Sequence, residues 1–304
     1  MMDITVLGSA ASAPTSPRNL PSVALRIDGD ILLLDCGEGT QRQMMQFGLS
    51  YAKVKAIFVS HLHLDHFLGI FGLGETLRLS GVVDKIDLYG PVGLERFLFS
   101  FGRRELFHVH ELSKKDCSLK KPIFSINEHD VFAFEASHGK KMDAFGYSIR
   151  QRVRVRFDEK KAKASGLVGV QFSQIQKEGK IKIGSKTLKL ENVSYNQPGL
   201  SVCYSGDTMY CKNTILAAKN CDLLIHESTF DESRRDLADE KFHSTAADAA
   251  KVAKAAGAKS LLLTHIGGKY SKDDTPLLEE AKKIFKNTSV AKDGLKIELR
   301  YGEK

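Results

Sequence analysis

Ala56-Ile-Phe-Val59-Ser60-His61-Leu62-His63-Leu64-Asp65-His66 decides how the chain is read. A short apolar run rich in β-branched and aromatic residues reads as a buried strand. Four side chains able to bind a metal follow within six residues. His61 and His63 are two apart, so in an extended segment their rings face one way. Asp65 and His66 come where the chain turns into Phe67-Leu-Gly69, the expected start of a helix. One stretch can therefore serve two adjacent ions. Imidazole with carboxylate suits zinc and similar borderline cations.

Outward from this stretch the same grammar recurs. Ile31-Leu-Leu-Leu34 ends in Asp35, Ser201-Val-Cys-Tyr204 leads to Asp207, Asp222-Leu-Leu-Ile225 ends in His226-Glu227, and Ser260-Leu-Leu-Leu263 ends in Thr264-His265. With the first, five strands deliver a His or a carboxylate at their carboxyl ends, where open α/β sheets build sites. His138 follows the run Val131-Phe-Ala-Phe134. A lone strand-end histidine is ordinarily structural; His138, Asp207 and His265 take their support from the cluster. Two ions about 3.5–4 Å apart can clamp the attacking and leaving oxygens of a phosphodiester and bring bound water near neutral pKa. Ser244-Thr-Ala-Ala-Asp248 predicts a capped helix running to Gly257. His243 stands just before it, where the positive helix end lowers an imidazole pKa. A proton donor needs the opposite shift, and the candidate source is Glu227, with His226 in support. His108, His110 and His129 have no partner pattern and are expected to be structural or exposed.

The chain has 304 residues, 42% hydrophobic and 27% charged, a globular composition that excludes a disordered tail or a collagen-like chain. No apolar run approaches the roughly 20 residues of a membrane helix, so no membrane partner is expected. Met1-Met-Asp-Ile-Thr-Val reads as a first strand and not as a secretory leader. Five cysteines without C-x-x-C spacing predict a reduced, cytoplasmic protein whose thiols are small buried residues. The net charge is +8, and between Arg150 and Lys189 stand 12 Lys and Arg against three acids, so this segment holds the whole excess. Arg150, Arg152, Arg154 and Arg156 alternate, as on one face of a strand. A charge run is commonly a solvated face; the functional alternative is contact with a phosphate backbone. Residues 1–150 and 195–304 read as two α/β halves, and residues 151–194 as an excursion from them.

His-x-His-x-Asp-His after a strand, with Asp35 upstream and His138, Asp207 and His265 downstream, resembles the metallo-β-lactamase superfamily. Pro14-Thr-Ser-Pro-Arg-Asn19, Leu34-Asp-Cys-Gly-Glu-Gly-Thr-Gln41, Ser205-Gly-Asp-Thr208, His226-Glu-Ser-Thr229 and Phe242-His-Ser-Thr245 narrow the resemblance to the tRNase Z family, over nearly the whole chain. The resemblance implies a single α/β domain over residues 1–304, an αβ/βα sandwich of two central mixed sheets flanked by helices, with a protruding basic arm at 151–194 that grips tRNA. It implies a zinc-dependent endoribonuclease that removes the 3′ trailer of precursor tRNA by metal-hydroxide attack. The products are a tRNA 3′-hydroxyl and a trailer 5′-phosphate. His61, His63 and His138 would bind one zinc, Asp65, His66 and His265 the other, and Asp207 both. Asp65 would also orient or deprotonate the attacking water, and Asp35 would fix a ligand from behind. Arg18, Asn19, Arg152, Arg154, Arg156, Lys160, Lys161, Lys163, Lys269 and Tyr270 would contact RNA, in a homodimer. Gly169-Val170 stands where relatives carry Gly-Pro, and Gly267-Gly268-Lys269 where they carry Ser and Arg. The alternatives are a related phosphodiesterase or arylsulfatase-like hydrolase of small esters, and a non-catalytic RNA-binding frame. The second would lack ligands, and none is missing.

Overall fold

The computed structural model describes residues 2–82, 84–100, 104–140 and 142–301. The chain divides into two compact units, residues 1–150 with 200–304, and residues 151–199.

In the first unit, β1 (Met2–Gly8), β2 (Ser22–Ile27), β3 (Asp30–Leu34), β4 (Val54–Phe58), β5 (Ile86–Pro91) and β6 (Phe107–Leu112) belong to one sheet. β7 (Phe124–Ile126), β8 (His129–Glu135) and β9 (Phe145–Gln151) belong to another. The second unit holds β10 (Arg154–Phe157), β11 (Lys180–Ile183), β12 (Lys186–Lys189) and β13 (Ser194–Gln197). The chain then returns to the first unit with β14 (Ser201–Tyr204), β15 (Leu223–Glu227), β16 (Leu261–Thr264), β17 (Thr288–Val290) and β18 (Lys296–Leu299). The first sheet runs β18-β1-β2-β3-β4-β5-β6, antiparallel up to β3 and parallel beyond it. The second runs β17-β16-β15-β14-β9-β8-β7 and is parallel from β17 to β14.

Strand alternation builds the layers. Val6, Leu25, Leu34 and Phe58 of one sheet and Tyr147, Val202, Ile225 and Leu262 of the other share a buried core between the sheets. Their neighbours in sequence point outward. Leu7, Leu33 and Ile57 pack under helices that supply Met44, Ile70, Leu73 and Leu98, and Cys203, Leu224 and Leu263 under helices that supply Ala249, Val252 and Leu277. The result is the αβ/βα sandwich of mixed sheets that the resemblance implied. The helix Ala246–Ala256 begins as its sequence predicts: Thr245 and Asp248 form a reciprocal capping box, and Gly257 ends it in the left-handed conformation. All five cysteines are free. No helix among the described residues is long and apolar enough to cross a membrane.

The unit 151–199 differs from its sequence reading in the placing of its arginines. The arginine alternation is not one strand: Arg150 lies in β9, Arg152 and Val153 lie between the two strands, and Arg154 and Arg156 lie in β10. Arg150 turns into the body, where its guanidinium donates to the carbonyl of Ala217 at 3.2 Å and lies 5.0 Å above the Phe132 ring. The segment also carries a small core of its own, Ala162, Leu167, Ile175, Ile181 and Val193, with Phe157 and Phe172 against it. β10 pairs with β13 and β11 with β12.

Candidate metal centre

The central strands β3, β4, β14, β15 and β16 end on one pocket. β4 runs into Ser60 and His61, and the helix Leu64–Phe67 starts at once with His63 as its N-cap and Asp65 and His66 in its first turn. This turn lies tight on the loop after β3. Cys36 N donates to the carbonyl of His66 at 2.8 Å, and a Cβ on Gly69 would fall 1.9 Å from the carbonyl oxygen of Gly37. Gly206 (φ +59°) lets the loop after β14 pass Ser60, so that Asp207 reaches the same space.

Two donor sets with ligand atoms within 4.8 Å of one another lie side by side, His61, His63, His138 and Asp207, and Asp65, His66 and His265; Asp207 and His265 form a third such set with His243. One oxygen of Asp207, Oδ2, lies 3.7 Å from His61 Nε2, 4.0 Å from His138 Nε2, 3.4 Å from His66 Nε2 and 3.3 Å from His265 Nε2. Asp65 Oδ2 lies 3.5 and 3.6 Å from the same atoms of His66 and His265. Bonds of about 2.05 Å at tetrahedral angles separate ligand atoms by about 3.3 Å, so the spacing fits a metal ion in each set.

Hydrogen bonds at the far side of four of the five rings set their tautomers. His66 Nδ1 donates to Asp35 Oδ2 at 2.7 Å, and His138 Nδ1 to the carbonyl of Phe242 at 2.9 Å. The Thr229 hydroxyl donates to Glu227 Oε2 at 2.8 Å, so it accepts from His265 Nδ1 at 2.9 Å. The Ser60 hydroxyl donates to Asp35 at 2.9 Å and so accepts from His61 Nδ1 at 3.0 Å. Every one of these rings therefore turns a bare Nε2 toward the pocket. Nε2 of His66 and of His265 is buried and has no hydrogen-bond partner among the described residues, which is costly unless a cation takes the lone pair. Burial holds His61 neutral, the form that ligates. Burial opposes the charge on Asp65 and Asp207, yet the surrounding imidazoles win. Asp65 falls to about 2, and Asp207 falls well below the usual carboxylate range.

Asp35 supports the pocket from behind. It is fully buried and also accepts from Ser60 N at 2.6 Å and from the Tyr204 hydroxyl at 2.6 Å. His243 flanks the pocket, its ring 4.8 Å from that of His138 and 5.3 Å from that of His265. Its Nδ1 meets Glu227 Oε1 at 2.8 Å. Burial works against the imidazolium, but the Glu227 charge and hydrogen bond outweigh it and raise the His243 pKa to about 9. Glu227 is itself held by Thr208 N at 2.9 Å.

Other expected residues fall elsewhere. His226 does not support the His243–Glu227 pair. Neighbours on a strand face opposite ways, and its Nδ1 instead meets the carbonyl of Glu227 at 2.8 Å. Arg18 is buried and saturated: it pairs with Asp274 at 2.5 Å and donates to Ser9 and to the carbonyl of Ala291. Tyr270 is buried too, its hydroxyl accepting from Asp231 N. Neither is presented to RNA. Asn19 donates to the carbonyl of Glu38, and its own amide nitrogen donates to Asp293. Lys269 stays exposed, 3.7 Å from Asp231. Arg152, Arg156, Lys160, Lys161 and Lys163 are exposed and Arg154 half-buried in the smaller unit. Residue-type reasoning missed Tyr204, Ser60, Thr229 and the Phe242 carbonyl; for Thr229 the one signal was its place in the His226-Glu-Ser-Thr229 motif.

Paired donor sets at the strand ends of a two-sheet sandwich define a metal-dependent hydrolase of the metallo-β-lactamase fold. Among solved structures, human tRNase Z, short form, is similar over 98% of this chain and 99% of its own, with 28% identity and a TM-score of 0.69. The metallo-β-lactamase fold protein YhfI of Bacillus subtilis shares the fold at a TM-score of 0.70 and 20% identity. Ribonuclease Z of Methanosarcina acetivorans is 38% identical over 310 residues, covering 99% of each chain. That of Archaeoglobus fulgidus is 38% identical over 310 residues, covering 100% of this chain and 99% of its own. The chain belongs to the ribonuclease Z family, and also to the family described as Anti-Pycsar protein Apyc1, whose model matches residues 2–283.

Proposed function

We propose that the chain is a tRNA 3′-processing endoribonuclease that holds two zinc ions in the two donor sets. The observation that carries this reading is the His243–Glu227 pair standing beside the paired donor sets. His61, His63 and His138 would hold one ion, Asp65, His66 and His265 the other, and Asp207 Oδ2 both. Bound ions supply Lewis-acid activation of water and of the phosphate oxygens. The protein's own groups do the rest. Asp65, ionised through the neutral range, accepts a hydrogen bond from the attacking water and orients it. As the water oxygen bonds to phosphorus, the bond to the 3′ oxygen of the tRNA breaks. The proton on His243 Nε2 passes to that oxygen, while Glu227 keeps Nδ1 protonated and the ring in place. The tRNA retains a 3′-hydroxyl and the trailer a 5′-phosphate.

The unit 151–199 is proposed as the tRNA-binding arm. Arg154 and Arg156 alternate on β10, and Lys160, Lys161 and Lys163 lie on the helix Glu159–Ala164. Helical RNA offers side chains its shape and phosphates more readily than base edges, and basic groups of this kind suit that contact. Asn19 and Lys269 are proposed to meet the acceptor end. A homodimer working in the cytoplasm completes the reading.

Incubating zinc-loaded protein with a tRNA carrying a labelled 3′ extension, followed by end-group analysis of both products, tests it. A tRNA 3′-hydroxyl and a trailer 5′-phosphate are expected; a 2′,3′-cyclic phosphate would refute the reading. The same paired donor sets would also serve a second reading, a related phosphodiesterase or arylsulfatase-like hydrolase of small esters. Efficient turnover of such an ester with none of precursor tRNA would establish it in place of the first.

A further inference from the structure

We infer that Arg235 is a positioning residue for His243, an inference that rests on the proposed role of His243 as proton donor. His243 lies between two helices, Arg235–Lys241 and Ala246–Ala256. The first residue of the first helix reaches across to the cap of the second. Arg235 contacts Asp248 with two nitrogens, at 2.5 and 2.9 Å, and Glu232 with two, at 2.7 and 3.1 Å. It also donates to the Thr245 hydroxyl at 3.0 Å. Thr245 and Asp248 are the two members of the capping box, and both are buried. One guanidinium therefore closes the segment 236–244 into a clamped loop.

Inside that loop the chain is held in two places. His243 N donates to the carbonyl of Ala238 at 2.8 Å, and the Ser244 hydroxyl to the carbonyl of Thr208 at 2.6 Å. Phe242 takes a left-handed φ of +58°, which turns its carbonyl to His138. Such a conformation costs a non-glycine residue energy and persists only where the surroundings enforce it. The guanidinium also separates like charges: Glu232 and Asp248 both contact the Thr245 hydroxyl or amide, at 3.1 and 3.3 Å. Without the guanidinium between them the two carboxylates repel across the cap, an effect that Lys251, exposed and 3.4 Å from Asp248 Oδ1, offsets only in part, and the strain is released through the segment bearing His243. Lysine carries the charge but not the planar fork, so Arg235→Lys restores only part of the geometry.

The test compares Arg235→Gln, Arg235→Lys and His243→Ala on two precursor tRNAs, one natural and one with sulfur in place of the bridging 3′ oxygen at the cut. A thiolate leaves without protonation, so a defect confined to proton donation disappears on the sulfur substrate. Arg235→Gln is expected to lower kcat on the natural substrate by about ten- to a hundredfold, the effect of misplacing a catalytic group by about 1 Å, with KM changed less than about twofold. The lysine variant should fall between. On the sulfur substrate both variants should come within about threefold of the parent. If His243→Ala is rescued by sulfur and Arg235→Gln is not, the inference about Arg235 is wrong. If His243→Ala is not rescued, the proposed role of His243 itself fails. Unchanged hydrolysis of bis-p-nitrophenyl phosphate, whose leaving group needs no acid, is expected of Arg235→Gln; its loss would show a general collapse of the site and also overturn the inference.

Discussion

Asp35→Asn separates charge from shape at the centre of the site. Asp35 has a left-handed φ of +56°, which asparagine tolerates as well as aspartate, so the exchange adds no backbone strain. Its carboxylate accepts four hydrogen bonds: Oδ1 from Ser60 N, and Oδ2 from the Ser60 hydroxyl, the Tyr204 hydroxyl and His66 Nδ1. An amide has one oxygen. With that oxygen at the Oδ2 position, its NH2 faces the Ser60 amide N–H, donor against donor at 2.6 Å. In the other orientation the NH2 faces three donors. Either way at least one buried donor is orphaned, at a cost of about 1–3 kcal/mol. His66 also loses the carboxylate that fixes its tautomer, and loss of such a partner weakens metal binding by about 10- to 100-fold. Titration of zinc against a competing chelator reads the second effect, and denaturant unfolding of metal-free protein reads the first. Zinc affinity equal to that of the parent would refute the reasoning that Asp35 sets the His66 donor.

Asp65→Ala and His63→Ala should each abolish trailer removal while precursor tRNA still binds, measured by single-turnover cleavage and filter binding; full activity in either would end the proposed mechanism. Joining Phe157 to Ser194 by a short turn, at the register where β10 meets β13, removes most of the basic unit. This variant should bind precursor tRNA more weakly yet hydrolyse bis-p-nitrophenyl phosphate normally, and unchanged tRNA affinity would refute the arm. In Gly206→Ala the new methyl would sit 2.8 Å from both the Phe145 carbonyl oxygen and Ser60 Cβ, at a φ of +59°. Left-handed strain and overpacking together should cost on the order of 2–4 kcal/mol in unfolding free energy, and a variant as stable as the parent would show that the loop relaxes freely.

That these imidazoles and carboxylates would cluster was legible because each follows a short apolar run, and a buried strand leaves its next polar residues at the sheet's carboxyl edge. Local chemistry likewise announced the Thr245–Asp248 cap and the Gly257 stop, since both are set by residues within one helix. The pairing of Glu227 with His243 was reachable by asking what would keep an imidazole protonated beside a helix N-terminus. Long side chains were another matter. Arg18 and Arg150 look like solvated cations in sequence, but Asp274 lies 256 residues away from the first, and the Ala217 carbonyl 67 residues away from the second. His226 and Glu227 are neighbours in the chain, and only the pleat of β15 sends them to opposite faces.

Residue type and local periodicity thus determined which groups could bind a cation and which elements would carry them. The tertiary structure alone decided which nitrogen is bare in His61, His66, His138 and His265. That choice is made at the ring's other end, by Asp35, Thr229, Ser60 and the Phe242 carbonyl. Of these only Ser60 adjoins its ring in the chain, and folding brings the others to theirs. A hydrogen bond has no reach along a sequence; it forms where packing brings donor and acceptor within about 3 Å.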